Sequence, residues 1–163
     1  MPDKSDRDNI EELCQRLLAE LRPHLELQKS QSFLEEIIGD SLHFVLDHPN
    51  GLDAKILRTT IQEMRAAFTV FAPYANQKKV TIFGSARVLE NEPLYTHTVK
   101  VASELAKHDW MVVTGAGPGI MEAGNKGAHS EGGKSVGLNI DLPFEQHDNP
   151  YIDADKLLNF DYF

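Results

Sequence analysis

From Lys78 onward the chain alternates short apolar runs with amphipathic stretches, and this alternation limits its possible folds more than any other feature. Val80-Thr81-Ile82-Phe83 reads as a strand, Asn91 to His108 as a helix, Trp110 to Thr114 as a strand, Pro118 to Ser130 as a helix and Ser135 to Ile140 as a third strand. Leu157 to Phe163 reads as a further strand. Strands joined through helices run parallel, with right-handed crossovers. The predicted fold class is therefore α/β, the first half of a Rossmann-like parallel sheet with about four strands. The helix from Asn91 has Asn91 as its expected cap, Pro93 in its first turn, and Tyr95, Val99, Ala102, Leu105 and Ala106 along one stripe.

Before this point the period is helical. Ile10, Leu13, Leu17, Leu18 and Leu21 recur at three and four, as do Phe33, Ile37, Ile38, Leu42 and Val45, and then Leu57, Ile61, Met64, Phe68 and Phe71. Three amphipathic helices are expected, broken at Pro23 to Ser30 and at His48-Pro49-Asn50-Gly51, with Asp53 as cap of the third. Residues 1–77 thus form a helical amino-terminal extension and 78–163 the Rossmann-like half-domain. The extension reads either as a regulatory or dimerisation arm or as a helical layer over the sheet, and the layer is the simpler expectation.

At 163 residues and 41% hydrophobic content, the chain can bury one substantial core. Sixteen Lys and Arg against 25 Asp and Glu give a net charge of -9, which argues against nucleic-acid or anionic-membrane partners. Cys14 stands alone, so no internal disulfide forms, and neither a leader nor a long apolar span opens the chain; a cytoplasmic setting is expected. The seven histidines are scattered without ligand spacing, and no metal site is expected.

Two glycine-bearing loops fall at the carboxyl ends of predicted strands, where ligands of such sheets bind at a reversal of strand order. In Gly115-Ala116-Gly117-Pro118-Gly119, continuing into Ile120 and Met121, backbone N–H groups and a helix amino terminus opened by Pro118 can hold a phosphate without a basic side chain. In Gly84-Ser85-Ala86-Arg87, Gly84 permits a sharp turn, Ser85 offers a hydroxyl and Arg87 a planar fork for phosphate. Taken singly, Ser85 is a turn residue and Arg87 a surface charge; together with the second loop they read as a binding site. Other signatures fit less well. The dinucleotide fingerprint fails at Ile120, although Asp141 lies where a ribose-binding acid could fall. Gly133-Lys134-Ser135 resembles the end of a P-loop, but Ala128 replaces its first glycine and the order is helix to strand, so Gly132-Gly133 reads as a helix stop.

Val80 to Ser85, Val112 to Ala123, Asn125-Lys126-Gly127-Ala128 and Ser135 to Ile140 resemble the LONELY GUY family of cytokinin riboside 5'-monophosphate phosphoribohydrolases and related nucleotide 5'-monophosphate nucleosidases. The resemblance covers Lys78 to Phe163, with a weaker likeness of the preceding helices to the extension of longer bacterial members. The family usually has three consecutive glycines where this chain has Gly115-Ala116-Gly117, a change expected to narrow the pocket. Leu142 to His147 with Asn149-Pro150-Tyr151 is similar to a family segment, which makes Glu145 an expected substrate contact.

The resemblance implies hydrolysis of the N-glycosidic bond of a nucleoside monophosphate such as AMP or a cytokinin riboside monophosphate, giving free base and ribose 5-phosphate with no cofactor. It also implies a homodimer or higher homo-oligomer. The transition state is oxocarbenium-like, so a carboxylate near the ribose and a firmly held phosphate carry the reaction. The family's Arg-Lys pair and Pro-Gly-Gly-x-Gly-Thr-x-x-Glu segment would lie beyond Phe163. The expectation is a chain with no catalytic residue of its own, either truncated or completed by another subunit, and inactive alone. A non-catalytic nucleotide-binding or sensing module and a dinucleotide-dependent oxidoreductase fragment are the alternatives.

Overall fold

The computed structural model describes residues 4–24, 31–47, 50–140 and 148–162. The chain divides into two compact units, Met1–Leu57 and Arg58–Phe163. The boundary falls inside the third helix.

The first unit holds α1 (Lys4–Leu21), α2 (Gln31–Asp47) and the start of α3 (Gly51–Phe71). Cys14 and Leu18 are buried, whereas Leu13, Leu17, Phe33, Ile37 and Val45 from the same apolar stripes are exposed. The Arg22 guanidinium grips the Glu35 carboxylate through two nitrogens, each at 2.8 Å, and His43 meets Glu11 at 2.7 Å. The cap of α3 is Asn50, not the expected Asp53: the Asp53 main-chain N–H donates to Asn50 Oδ1 at 2.9 Å. Asp53 lies in the first turn, where its charge complements the helix dipole.

The second unit holds the end of α3, then β1 (Lys79–Thr81), α4 (Pro93–Lys107), β2 (Met111–Thr114), α5 (Ile120–Ser130), β3 (Ser135–Ile140) and β4 (Leu157–Phe160). The four strands are parallel and ordered β1-β2-β3-β4, so strand order does not reverse among them. This is an α/β Rossmann-like fold preceded by helices. Alternation along β2 supplies two cores: Val112 packs with Ala102 of α4 and Ala128 of α5, while Met111 and Val113 join Val136, Leu158, Phe160 and Ala67 of α3. Each such Val or Met contributes roughly 1.5–3 kcal/mol through burial. The layer reading therefore holds for the end of α3, whose Val70 and Phe71, with Tyr74 from the turn that follows, cover the sheet. No helix among the described residues is long and apolar enough to cross a membrane.

Local ends differ from the sequence expectation where a tertiary bond competes. β1 stops at Thr81, although the Ile82 N–H still donates to Val113 O at 2.9 Å; Phe83 is 83% exposed. The residue preceding α4 is Glu92 and not Asn91; it makes no side-chain cap, because Glu92 Oε1 instead accepts the Leu89 N–H at 2.8 Å. β4 ends at Phe160, where the Asp161 N–H turns to Glu63 Oε1 at 2.7 Å. The α5 stop is Gly132 at φ 63, with the N–H groups of Gly132 and Gly133 returning to His129 O and Ala128 O.

Candidate functional site

The loops after β1 and β2 are neighbours, since those strands pair directly, and they interlock. The Ile120 N–H donates to Ser85 O at 3.1 Å. A Cβ built on Gly119 would lie 2.4 Å from Ser85 O, and one on Gly84 would lie 2.3 Å from Ile120 Cγ2. Gly119 adopts φ 68 and ψ -124 as the residue immediately before α5. Pro118 is thus outside the helix rather than in its first turn, because the chain reverses at Gly119 to bring Ile120 under the first loop. Ile120, which spoils the dinucleotide fingerprint, is a buried packing residue whose space is supplied by Gly84.

The second loop is pinned from beneath by a buried polar network. Thr114 Oγ1 donates to Asn125 Oδ1 at 2.6 Å and accepts the Ala116 N–H at 3.1 Å. The main-chain N–H of Asn149 donates to Ala116 O at 2.9 Å. Its Nδ2 donates to Ala116 O at 2.8 Å, to Gly117 O at 3.2 Å and to Asn125 Oδ1 at 3.1 Å. Asn125 Nδ2 is buried and meets no acceptor among the described residues; a donor left unpaired in this way costs roughly 1–3 kcal/mol. Ala116 takes φ 64, and its fully buried methyl faces β3, 2.9 Å from where a Gly137 Cβ would stand. The expected narrowing of the pocket by Ala116 is therefore corrected, since that methyl points into the sheet.

Fewer amides are free than the sequence alone implies. Ala116 and Ile120 spend theirs within the protein, and Pro118 has none. Among the described residues, the N–H groups of Gly115, Gly117 and Gly119 meet no acceptor. The Met121 thioether lies over Gly115 and Gly117, with its Sδ and Cε each 2.8 Å from where their Cβ atoms would stand. Met121 is unbranched and can swing aside. In the first loop Ser85 Oγ accepts the Arg87 N–H at 3.1 Å, a local turn, and Arg87 is exposed. Glu145 and Asp141 lie outside the described residues.

Residues past each loop tie the two helices together. The buried Tyr95 hydroxyl donates to Glu122 Oε1 at 2.7 Å; burial first, then this carboxylate, holds the Tyr95 proton well above the usual phenol range. Lys126 Nζ lies 3.2 Å from Glu90 Oε2, 5.4 Å from the Tyr95 ring centroid and 5.3 Å from that of Tyr151. On the α3 face, a cavity of about 410 Å³ opens beside Gly115, lined by Phe68, Phe71, Phe83, Leu138 and Phe160.

Residues 77–155 match the model of the SLOG cluster4 family, LDcluster4. That part of the chain is LOG-like. The X-ray structure of TM1055 is 28% identical, with a TM-score of 0.43 over 50% of this chain and 47% of that one. The structure of Moco carrier protein from Chlamydomonas reinhardtii is 22% identical, with a TM-score of 0.40 over 53% and 50%. The chain thus spans about half the length of these solved structures. No curated protein matches it. Within the LOG-like part, Thr114, Asn125 and Asn149 are the residues that motif reading passed over as determinants of loop shape. Thr114 carried a signal, as the polar end of an otherwise apolar strand that calls for a hydrogen-bond partner, whereas Asn149, between Asp148 and Pro150 in a polar loop, carried none.

Proposed function

We propose that the two loops hold the phosphate of a nucleoside 5'-monophosphate, and that the whole protein hydrolyses its N-glycosidic bond to free base and ribose 5-phosphate. The observation that carries this reading is the set of glycine N–H groups at Gly115, Gly117 and Gly119 that meet no acceptor among the described residues, at the carboxyl end of β2 and the amino terminus of α5. The aromatic-lined cavity beside Gly115 has the size and apolar character for the uncharged part of such a ligand. Gly84, Ser85 and Arg87 flank the phosphate from the first loop, Pro118 and Ile120 shape the second, and Glu145 remains a proposed contact. A homodimer working in the cytoplasm is part of the proposal.

Calorimetry with AMP, inorganic phosphate and NAD tests it, with chromatographic detection of released adenine. AMP is expected to bind and NAD not to. AMP binding without adenine release favours a sensing module, and preferential NAD binding overturns the reading. Gly117→Val is expected to abolish AMP binding while leaving stability nearly unchanged, because its side chain would meet the flexible end of Met121 and the anion's place rather than backbone. Undiminished AMP binding by this variant removes the second loop from the site.

A further inference from the structure

We infer that Asn149, on the connection between β3 and β4, is a positioning residue that aims the Gly117 amide out of the loop and toward a bound anion; the anion's identity rests on the reading above. The Ala116–Gly117 peptide is trans, so its C=O and N–H point in opposite directions. Asn149 draws Ala116 O inward with two donors, its main-chain N–H at 2.9 Å and its Nδ2 at 2.8 Å. The N–H of Gly117 must then face away from Asn149. The next carbonyl, Gly117 O, is drawn inward as well, at 3.2 Å from Nδ2, and the residue after it is Pro118, which has no N–H to misdirect.

The orientation of the Asn149 amide follows from the same contacts. Two carbonyl oxygens face one side-chain atom, so that atom is the nitrogen, and the other, Oδ1, accepts the Tyr151 N–H at 3.2 Å. Oδ1 of Asn125 completes the set. Asn149 is itself held, because Tyr151 is clamped under Lys126 and its N–H is committed to Asn149. The positive φ of Ala116, 64°, is a strained state for a residue with a side chain, worth roughly 1–3 kcal/mol, that persists only where its surroundings impose it. The three hydrogen bonds from Asn149 to the loop carbonyls impose it together with the bond from the Ala116 N–H to Thr114 Oγ1. The segment joining β3 to β4 thereby sets the direction of an amide in a loop two elements earlier.

Two measurements on Asn149→Ala test this. In proton–nitrogen spectra without ligand, the Gly117 amide resonance is expected to move while that of Gly132, at the far end of α5, stays in place. In AMP titrations corrected for the folded fraction, affinity is expected to fall at least about tenfold, the effect of losing one to two net hydrogen bonds' worth of organisation. A purely structural role would lower the folded fraction and leave the dissociation constant of the folded protein unchanged, and that result overturns the inference. So does an unmoved Gly117 resonance. If Asn149→Ala does not fold, Asn149→Ser, which keeps a small polar group there, is read by the same two criteria. If the wild-type chain binds no AMP, the nucleotide reading fails; the positioning of Gly117 is then decided by its resonance and by titration with inorganic phosphate.

Discussion

The loop after β1 and the loop after β2 look alike in sequence, each a glycine turn between a strand and a helix, yet they are built differently. The first is exposed and shaped locally, with Ser85 Oγ accepting the Arg87 N–H. The second rests on three buried polar residues, Thr114, Asn125 and Asn149, and carries a non-glycine residue at positive φ. Their glycines also divide by duty. Gly84 and Gly119 let one loop press against the other, whereas Gly115 and Gly117 face only the movable end of Met121. Glycine in such a turn can therefore serve the neighbouring chain as well as a ligand, and Gly119 does both, since it admits the first loop while its own N–H, like those of Gly115 and Gly117, meets no acceptor among the described residues.

The largest effect is expected at Gly119. Gly119→Ala places a methyl group at φ 68 and at 2.4 Å from Ser85 O, against backbone that cannot move alone. The backbone strain alone costs roughly 1–3 kcal/mol, and the clash adds to it. Denaturant unfolding is expected to show a loss of about 3 kcal/mol or more. A loss below about 1 kcal/mol means that the loops do not interlock.

Gly84→Ala comes next. Its methyl would lie 2.3 Å from Ile120 Cγ2, so overpacking by roughly 1–3 kcal/mol is expected. Because the obstacle is a side chain, Ile120→Ala in the same molecule should recover part of the loss. A double-mutant cycle measures the coupling, and additive effects would separate the two positions.

The smallest effect concerns the tie beyond the loops, between Tyr95 and Glu122. Tyr95 keeps its proton in the folded state above the pH at which a free phenol loses it, about 10. Above that pH the unfolded chain binds fewer protons than the native one, so stability falls as pH rises. Tyr95→Phe is expected to cost about 1 kcal/mol at neutral pH, since Glu122 is only half-buried and water can replace the lost donor, and to flatten the decline above about pH 10. Unfolding midpoints of both proteins across that range give the slopes, and parallel slopes would show that the two helices are not joined through this proton.

Much of the architecture was legible in the sequence because it follows from local periodicity. The three helices before Lys78, the strand at Ser135–Ile140, the parallel arrangement and the glycine stop after α5 depend on residues close together in the chain. Element ends were less legible. Asn91, Asp53 and Pro118 were each chemically fit for the roles expected of them, but bonds to Leu89, Asn50 and Ser85 placed other residues there.

The sequence by itself determined that a glycine turn follows β2 and opens a helix, since strand, turn and helix preferences act over a few residues. Only the tertiary structure decided which amides of that turn stay open. That choice depends on partners distant in the chain, Ser85 taking the Ile120 N–H and Asn149 turning the Ala116 and Gly117 carbonyls inward. A hydrogen bond between distant segments leaves no periodic trace in either of them, so its consequence for Gly117 emerges only when the chain is folded.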